Sequence, residues 1–349
     1  MTNNSNEQGF VLPYVLVVIA VLAFVSAIAA ERLRRSTAVL VSLQDQSRIE
    51  RMMVTAEAEA VYALLTGITI DGGIDLNPNS PVETDFGFVD SDGGFRSASS
   101  TRREEIIRDV WSAKGGVRSS KQSDGEVYIQ LRDVFGFVSL TSLNEENVIQ
   151  VLKALGGPSS QAQSLTAKLA DYVDTDSKRQ FKGAERADYR LRDKPPPSNS
   201  PLRNYDELSH VLGWDEALND IDVLQFKNMT TLQFVSGVKN EYANAAVQKA
   251  LRGVAKESET VEGGFDVEAL ELQNPTMSDN SRLTFWVQTQ DGLYKKRVIE
   301  IRRDSNNTTQ PFRRFWVYET TVSQDDLEFD RRSTNEIKNV IQAATVHLP

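Results

Sequence analysis

Twenty-one consecutive residues, Phe10 to Ala30, carry no charge and are mostly apolar, and the first charged side chain after them is Glu31. At a helical rise of about 1.5 Å per residue, such a run is long enough to cross a hydrocarbon layer of roughly 30 Å. A transmembrane segment is therefore expected over residues 10–30.

The helix does not have to stop there. Tyr14 to Thr66 contains neither Gly nor Pro, and Ile49, Met52, Met53, Ala56, Ala60, Ala63 and Leu64 fall on one helical face. Gly67 supplies a C-terminal stop. The expectation is one rod of about 50 residues, roughly 80 Å long at that rise, apolar at first and amphipathic over residues 31–67. A cleaved secretory signal peptide is the rival reading, since Ala27-Ile28-Ala29 offers small residues at the right place. Against it stand the missing basic n-region and an apolar run longer than the usual stretch of about 7 to 15 residues.

Beyond the rod, a chain of 349 residues has room for one large domain or two ordinary ones. Its 39 basic and 49 acidic residues leave a net charge of −10, which argues against a nucleic-acid surface. The absence of cysteine removes thiol catalysis, Cys-ligated zinc and disulfides. His210 and His347 stand far apart with no nucleophile motif beside them, so no enzyme is expected. Orientation is ambiguous: residues 1–9 hold no Lys or Arg, whereas Arg32, Arg34 and Arg35 follow the span. Taken alone, the positive-inside rule would put the C-terminal bulk in the cytoplasm.

Residues 68–105 are rich in Gly, Pro, Asn and Ser, as in Asp71-Gly72-Gly73 and Asn77-Pro78-Asn79-Ser80-Pro81, and read as loop. Their acids, Asp71, Asp75, Asp85, Asp90 and Asp92, match no EF-hand spacing and read as solvated loop charge. Val127, Ile129 and Leu131 alternate with polar neighbours as a strand does, followed by a turn at Asp133–Gly136 and a short strand over 137–140.

The pattern then turns helical over residues 141–255. Asn144 can cap a helix with Glu145 and Glu146 in its first turn, Val148, Val151, Leu152 and Leu155 inside and Gly156-Gly157 at its end. A second helix is expected from about Ser160 to Val173, then a polar loop with Gly183-Ala184-Glu185 and Asp188-Tyr189. Pro195-Pro196-Pro197 precedes a short helix, Tyr205 to Leu212, and another helix is expected from Asn240 to Arg252. Strands return with alternating Leu283, Phe285 and Val287, a hairpin turn at Asp291-Gly292, a return strand from Leu293 to Arg302, and Phe315 to Tyr318. Gln324 to Asp330 reads as a frayed acidic tail, and Asn335 to Thr345 as a last helix. The fold class expected is α+β, strands flanking an inserted helical subdomain.

Several of these stretches occur together in one family. Gly9-Phe10 ahead of a long apolar run resembles the prepilin-peptidase site of type IV pilin-like proteins, which are cut after that Gly. The fifth residue after the cut is normally Glu in that family, and here it is Tyr14. Loss of that glutamate marks the K-class minor pseudopilins of type II secretion. Leu140-Thr-Ser-Leu143-Asn144 resembles their LNLN-like start to the helical domain, and Leu169-Ala-Asp171-Tyr-Val-Asp174-Thr-Asp176 their D-W-I-D-x-D motif. Gly183-Ala184-Glu185 with Asp188-Tyr189 resembles G-A-E-D-x-x-Y, and Pro195-Pro196 through Glu207-Leu208 to Leu212-Gly213 a further run. The leader lacks basic residues and the family's cysteines are missing. Asn240-Glu-Tyr-Ala-Asn244-Ala is a degraded version of the second asparagine element.

The resemblance implies a leader over 1–9, a pilin-like sheet domain split into 68–140 and 256–349, and a helical insert over 141–255. It implies a non-enzymatic subunit in the inner membrane with its globular part in the periplasm, at the tip of the pseudopilus, initiating or capping assembly for export. Prepilin peptidase, the inner-membrane secretion platform and the I, J and then H classes of minor pseudopilin would be its partners. In pilins a carboxylate inside the membrane pairs with the N-terminal ammonium of a neighbour. A subunit with Tyr14 cannot make that contact upward, though its own amine at Phe10 can still receive one. For Asp174, Asp176, Glu185 and Asp188 two readings stand: a structural calcium site, which the family implies in the helical domain, or caps and ion pairs with Lys178, Arg179 and Arg186. Outside the family, the chain reads as a single-pass membrane-anchored periplasmic binding protein. Leu155-Gly156-Gly157 between two helices is also similar to a helix-hairpin-helix DNA module, but only Lys153 is near and the chain is acidic.

Overall fold

A computed structural model describes residues 11–77, 82–84, 87–89, 95–97, 108–141, 144–157, 159–258, 277–304, 307–327, 329 and 334–337. Gly9, Phe10, His347 and the acids Asp85, Asp90 and Asp92 lie outside them. Helix α1 (Val11–Thr66) runs for 56 residues and stops at Gly67, whose N–H still reaches Ala63 O at 2.9 Å. The chain divides into two units, residues 1–51 and 52–349.

In the first unit the large apolar side chains from Tyr14 to Leu43 are exposed, as expected for a helix whose solvent is lipid or another helix. Among the described residues α1 alone is long and apolar enough to cross a membrane. Its charged stretch starts with an i,i+4 pair, Glu31 and Arg35, at 2.9 Å.

The second unit begins with the last part of α1, where Met52, Met53, Ala56, Ala60, Ala63 and Leu64 are buried. Strands β1 (Ile68–Ile70), β2 (Gly73–Asp75), β3 (Val82–Thr84), β4 (Gly87–Val89), β5 (Phe95–Ser97) and β6 (Val110–Ser112) follow. Strands therefore occupy part of the stretch read as loop. Two small antiparallel sheets result, β1-β2-β6 and β3-β4-β5. Asp75 is not solvated either: its buried carboxylate accepts from the N–H groups of Asn77 and Asp109 at 3.0 and 3.1 Å.

Strands β7 (Lys114–Gln122) and β8 (Gly125–Asp133) form a hairpin, and β9 (Val138–Ser139) leads into helices α2 (Glu145–Ala154) and α3 (Ser159–Val173). Then come α4 (Arg186–Arg190), a 3-10 turn at Tyr205–His210, α5 (Trp214–Asp220), α6 (Val223–Met229), β10 (Thr230–Thr231) and α7 (Ala245–Ser258). Strands β11 (Asn280–Gln288), β12 (Tyr294–Arg303), β13 (Phe312–Val322) and β14 (Asn335–Glu336) complete the order. The main sheet is β13-β12-β11-β8-β7-β14, antiparallel except at its β14 edge.

The fold is thus α+β as expected. The helix at Tyr205 is 3-10, and the last one starts at Ala245 rather than Asn240. Of the helix expected over Asn335 to Thr345, residues 338–345 lie outside the described ones; Asn335–Glu336 is a strand, with Ile337 buried and its N–H on Ser119 O. The tail folds back too, with the Phe329 ring 5.1 Å from both Tyr128 and Trp286.

The helices share one core, centred on Trp214, Phe226, Tyr189, Leu152 and Leu169, which continues into Val298, Val317 and Tyr318 of the sheet. Beneath it, the buried pair Arg282 and Glu300 joins β11 to β12, and the Arg282 guanidinium also donates to Lys227 O and Thr230 O among the helices. β9 and β10 pair in parallel at the root of the helical region, where a Cβ on Gly136 would meet Tyr242 O at 2.3 Å.

Candidate metal centre

The acidic residues of the helical region gather where α3 ends. Apolar residues at Ala162, Leu165, Leu169 and Val173 face the core and fix the helix's rotation, which sets Asp171 and Asp174 one turn apart. The N–H of Asp174 still bonds Ala170 O at 3.0 Å, after which the chain bends. Asp171 is fully buried and both its oxygens accept from Gln180 N–H at 3.2 Å, closing the loop of residues 172–179. Gly183 passes directly under this carboxylate: a Cβ there would lie 2.0 Å from Oδ2.

Glu185 caps α4, a helix where the sequence suggested loop. Its N–H donates to Asp188 Oδ2 at 3.0 Å in a capping box, and Asp188 Oδ1 takes an ion pair from Arg179 at 3.2 Å. Asp188 is thereby engaged as a cap and an ion-pair partner. Asp174, Asp176 and Glu185 form the cluster, each offering an oxygen within 4.8 Å of the other two. Asp176 is exposed, held by Lys178 N–H on its side chain at 2.7 Å and by Asn199 Nδ2 on its carbonyl at 2.9 Å. Among the described residues none of the three carboxylates makes an ion pair with Lys178, Arg179 or Arg186.

Two oxygens there have no hydrogen-bond partner although buried, Asp174 Oδ1 and Glu185 Oε1. An unpaired buried carboxylate oxygen is costly. Burial, then the charges of Glu185 and Asp174, pushes Asp171 up to about 6 against the opposing Gln180 N–H. Asp174 is raised by burial and by Asp176, and Glu185 by burial and by Asp174, Asp176 and Asp188. The arrangement fits a hard cation: oxygens bound to one Ca2+ at about 2.4 Å can be at most about 4.8 Å apart. Asp171 escaped the sequence reading as a member of this constellation, although its i,i+3 spacing to Asp174 was the available signal.

Tyr14, the other residue singled out, is 71% exposed on the apolar part of α1.

Residues 138–221 match the family model described as type II secretion system (T2SS), protein K, first domain. The match covers β9 through α5 and so includes every carboxylate just described. The type II secretion system protein K of Klebsiella pneumoniae is 28% identical over 138 residues, 35% of this chain and 41% of that protein. The chain thus aligns with less than half the length of that relative. A chain from a crystal structure of the GspK-GspI-GspJ complex of the enterotoxigenic Escherichia coli type 2 secretion system is 14% identical, with a TM-score of 0.46, covering 80% of this chain and 99% of that one.

Proposed function

We propose that the chain, whose residues 138–221 match the protein K family model of the type II secretion system, is a minor pseudopilin of that family that caps or initiates the pseudopilus at its tip. The observation that carries the reading is the family match on the helical region, combined with an apolar, exposed α1 that has Tyr14 in place of a glutamate. The chain is anchored by α1 in the inner membrane with its second unit in the periplasm. Without a carboxylate at Tyr14 it offers nothing to the ammonium of a subunit above it, while its own amine at Phe10, exposed by cleavage after Gly9, is received by one below. The exposed apolar side chains of α1 pack against the equivalent helices of I- and J-class partners.

Asp174, Asp176 and Glu185 hold a structural Ca2+, with Asp171 shaping the loop behind them. When bound, the ion supplies the charge that the two unpaired buried oxygens lack. That tightens the loop on which α4 starts.

Co-expression with prepilin peptidase tests the assignment. Intact mass should show loss of Met1 to Gly9, and a chain that retains them sinks the pseudopilin reading. For the tip role, an excess of the chain should shorten pseudopili seen by electron microscopy, and Tyr14→Glu should relieve the shortening. Equal lengths with both chains would leave Tyr14 without the role assigned to it.

A further inference from the structure

The loop and helix beside the acidic cluster carry the opposite charge. Between Ser177 and Lys194 stand seven Lys and Arg residues against three acids, in a chain whose net charge is −10. Arg186 and Arg190 are one turn apart on α4 and, among the described residues, neither guanidinium has an acidic partner. Like charges at i,i+4 oppose helix formation, so local stability does not account for them. With Ala187, Asp193, Lys194 and Pro196 they line a groove of about 450 Å3.

Two large apolar side chains of the same segment are open to solvent: Phe181 is 88% and Leu191 84% exposed, more than any other exposed large hydrophobic among the described residues. Covering one such side chain releases about 1.5–3 kcal/mol in transfer free energy.

We propose that this groove is a docking site for an acidic, partly apolar segment of a protein partner, whose carboxylates are taken by Arg186 and Arg190 and whose apolar side chains reach past the groove lining to cover Phe181 and Leu191. Guanidinium groups bind carboxylates in a two-pronged manner, so two unpaired ones suit two successive acids of an extended chain. A concave site with a carboxylate of its own, Asp193, favours a peptide over a lipid headgroup layer. A peptide can turn an amide N–H toward Asp193, whereas a flat anionic surface sets uniform negative charge against it. The site goes beyond the tip assignment and does not depend on it.

The test uses the full chain in neutral detergent and a fluorescein-labelled twelve-residue peptide of alternating Glu and Leu, with alternating Lys and Leu as control. Fluorescence anisotropy should show saturable, salt-sensitive binding of the acidic peptide only. Arg186→Gln with Arg190→Gln should weaken it about tenfold or more, the scale of losing charged hydrogen bonds. Phe181→Ser should weaken it less, and thermal midpoints should not fall, because all three side chains lie outside the core and the two arginines repel each other. Equal binding by wild type and the double variant overturns the proposal. So does Arg186- and Arg190-dependent sedimentation with phosphatidylglycerol vesicles in the absence of peptide binding, which would assign the site to a lipid surface.

Discussion

Asp171 should govern how the stability of the cluster depends on pH. Its folded value of about 6 lies above its ordinary 3.8, so the folded state holds the extra proton. The stability this represents is complete below about pH 4 and is lost as the pH rises through 6, with an upper bound of about 2–3 kcal/mol. In EDTA the melting temperature should therefore fall between pH 4 and 6.5, and Asp171→Asn should flatten that fall. Added Ca2+ should raise the midpoint most at neutral pH, where the carboxylates are ionised. No shift with Ca2+ at pH 7 in a melt of the wild type would remove the metal reading. Gly183→Ala is expected to cost about 1–3 kcal/mol in a urea titration, since the added methyl runs into Asp171 Oδ2. At this scale the sequence singled out acids that the fold does bring together, Asp174, Asp176 and Glu185, but not each residue's part. Carboxylate types and spacing point to a cation, whereas the diversion of Asp188 into a cap and an Arg179 pair depends on α4, a helix of five residues with no periodic pattern to read.

Elements with strong local signals were legible. Asn144 caps α2 through Asn147 N–H as its side chain and the following glutamates suggest, and the β11–β12 hairpin turns at the Asp291-Gly292 pair. α5 and α6 were not, because seven residues make only two turns and their apolar anchors, Trp214, Ala217, Phe226 and Met229, are too few to show a period. β1 and β2 were hidden by the turn residues between them. Alternation in β11 misled in a subtler way: Thr284 and Trp286 are as buried as Leu283 and Phe285, since the helical region and the tail cover the second face of the sheet. The Arg282–Glu300 pair within the β11–β12 hairpin also ties the helical region to the sheet, because Arg282 donates to Lys227 O and Thr230 O and Glu300 accepts from Thr231, contacts that no local pattern encodes. Glu300→Gln should leave the Arg282 guanidinium buried beside a neutral amide and cost about 3–5 kcal/mol by urea titration. Replacing both residues with apolar ones should cost less than the sum of the single changes.

For the whole molecule, charge and hydropathy are partitioned along the chain. The apolar side chains exposed in quantity lie in the first unit, so the full chain should stay in the membrane pellet after alkaline carbonate washing, while a chain lacking residues 1–51 should leave it. Release of the full chain by carbonate would contradict the anchor.

The neighbours β8 and β11 bear on how the chain finds its fold. Asp133 pairs with Ser281, so the central ladder of the main sheet joins strands separated in sequence by the entire helical region. Closing so long a loop of disordered chain is slow, since the entropy of bringing its ends together is lost before any ladder bond forms. The parallel contact of β9 with β10 shortens that search: once α2 to α6 have condensed, Thr230 stands beside Val138, and the stretch left to close runs from there to β11. The order expected on refolding is therefore helices first and the β8–β11 ladder after, so hydrogen-exchange protection should rise in α2 and α3 before it does in β8 and β11.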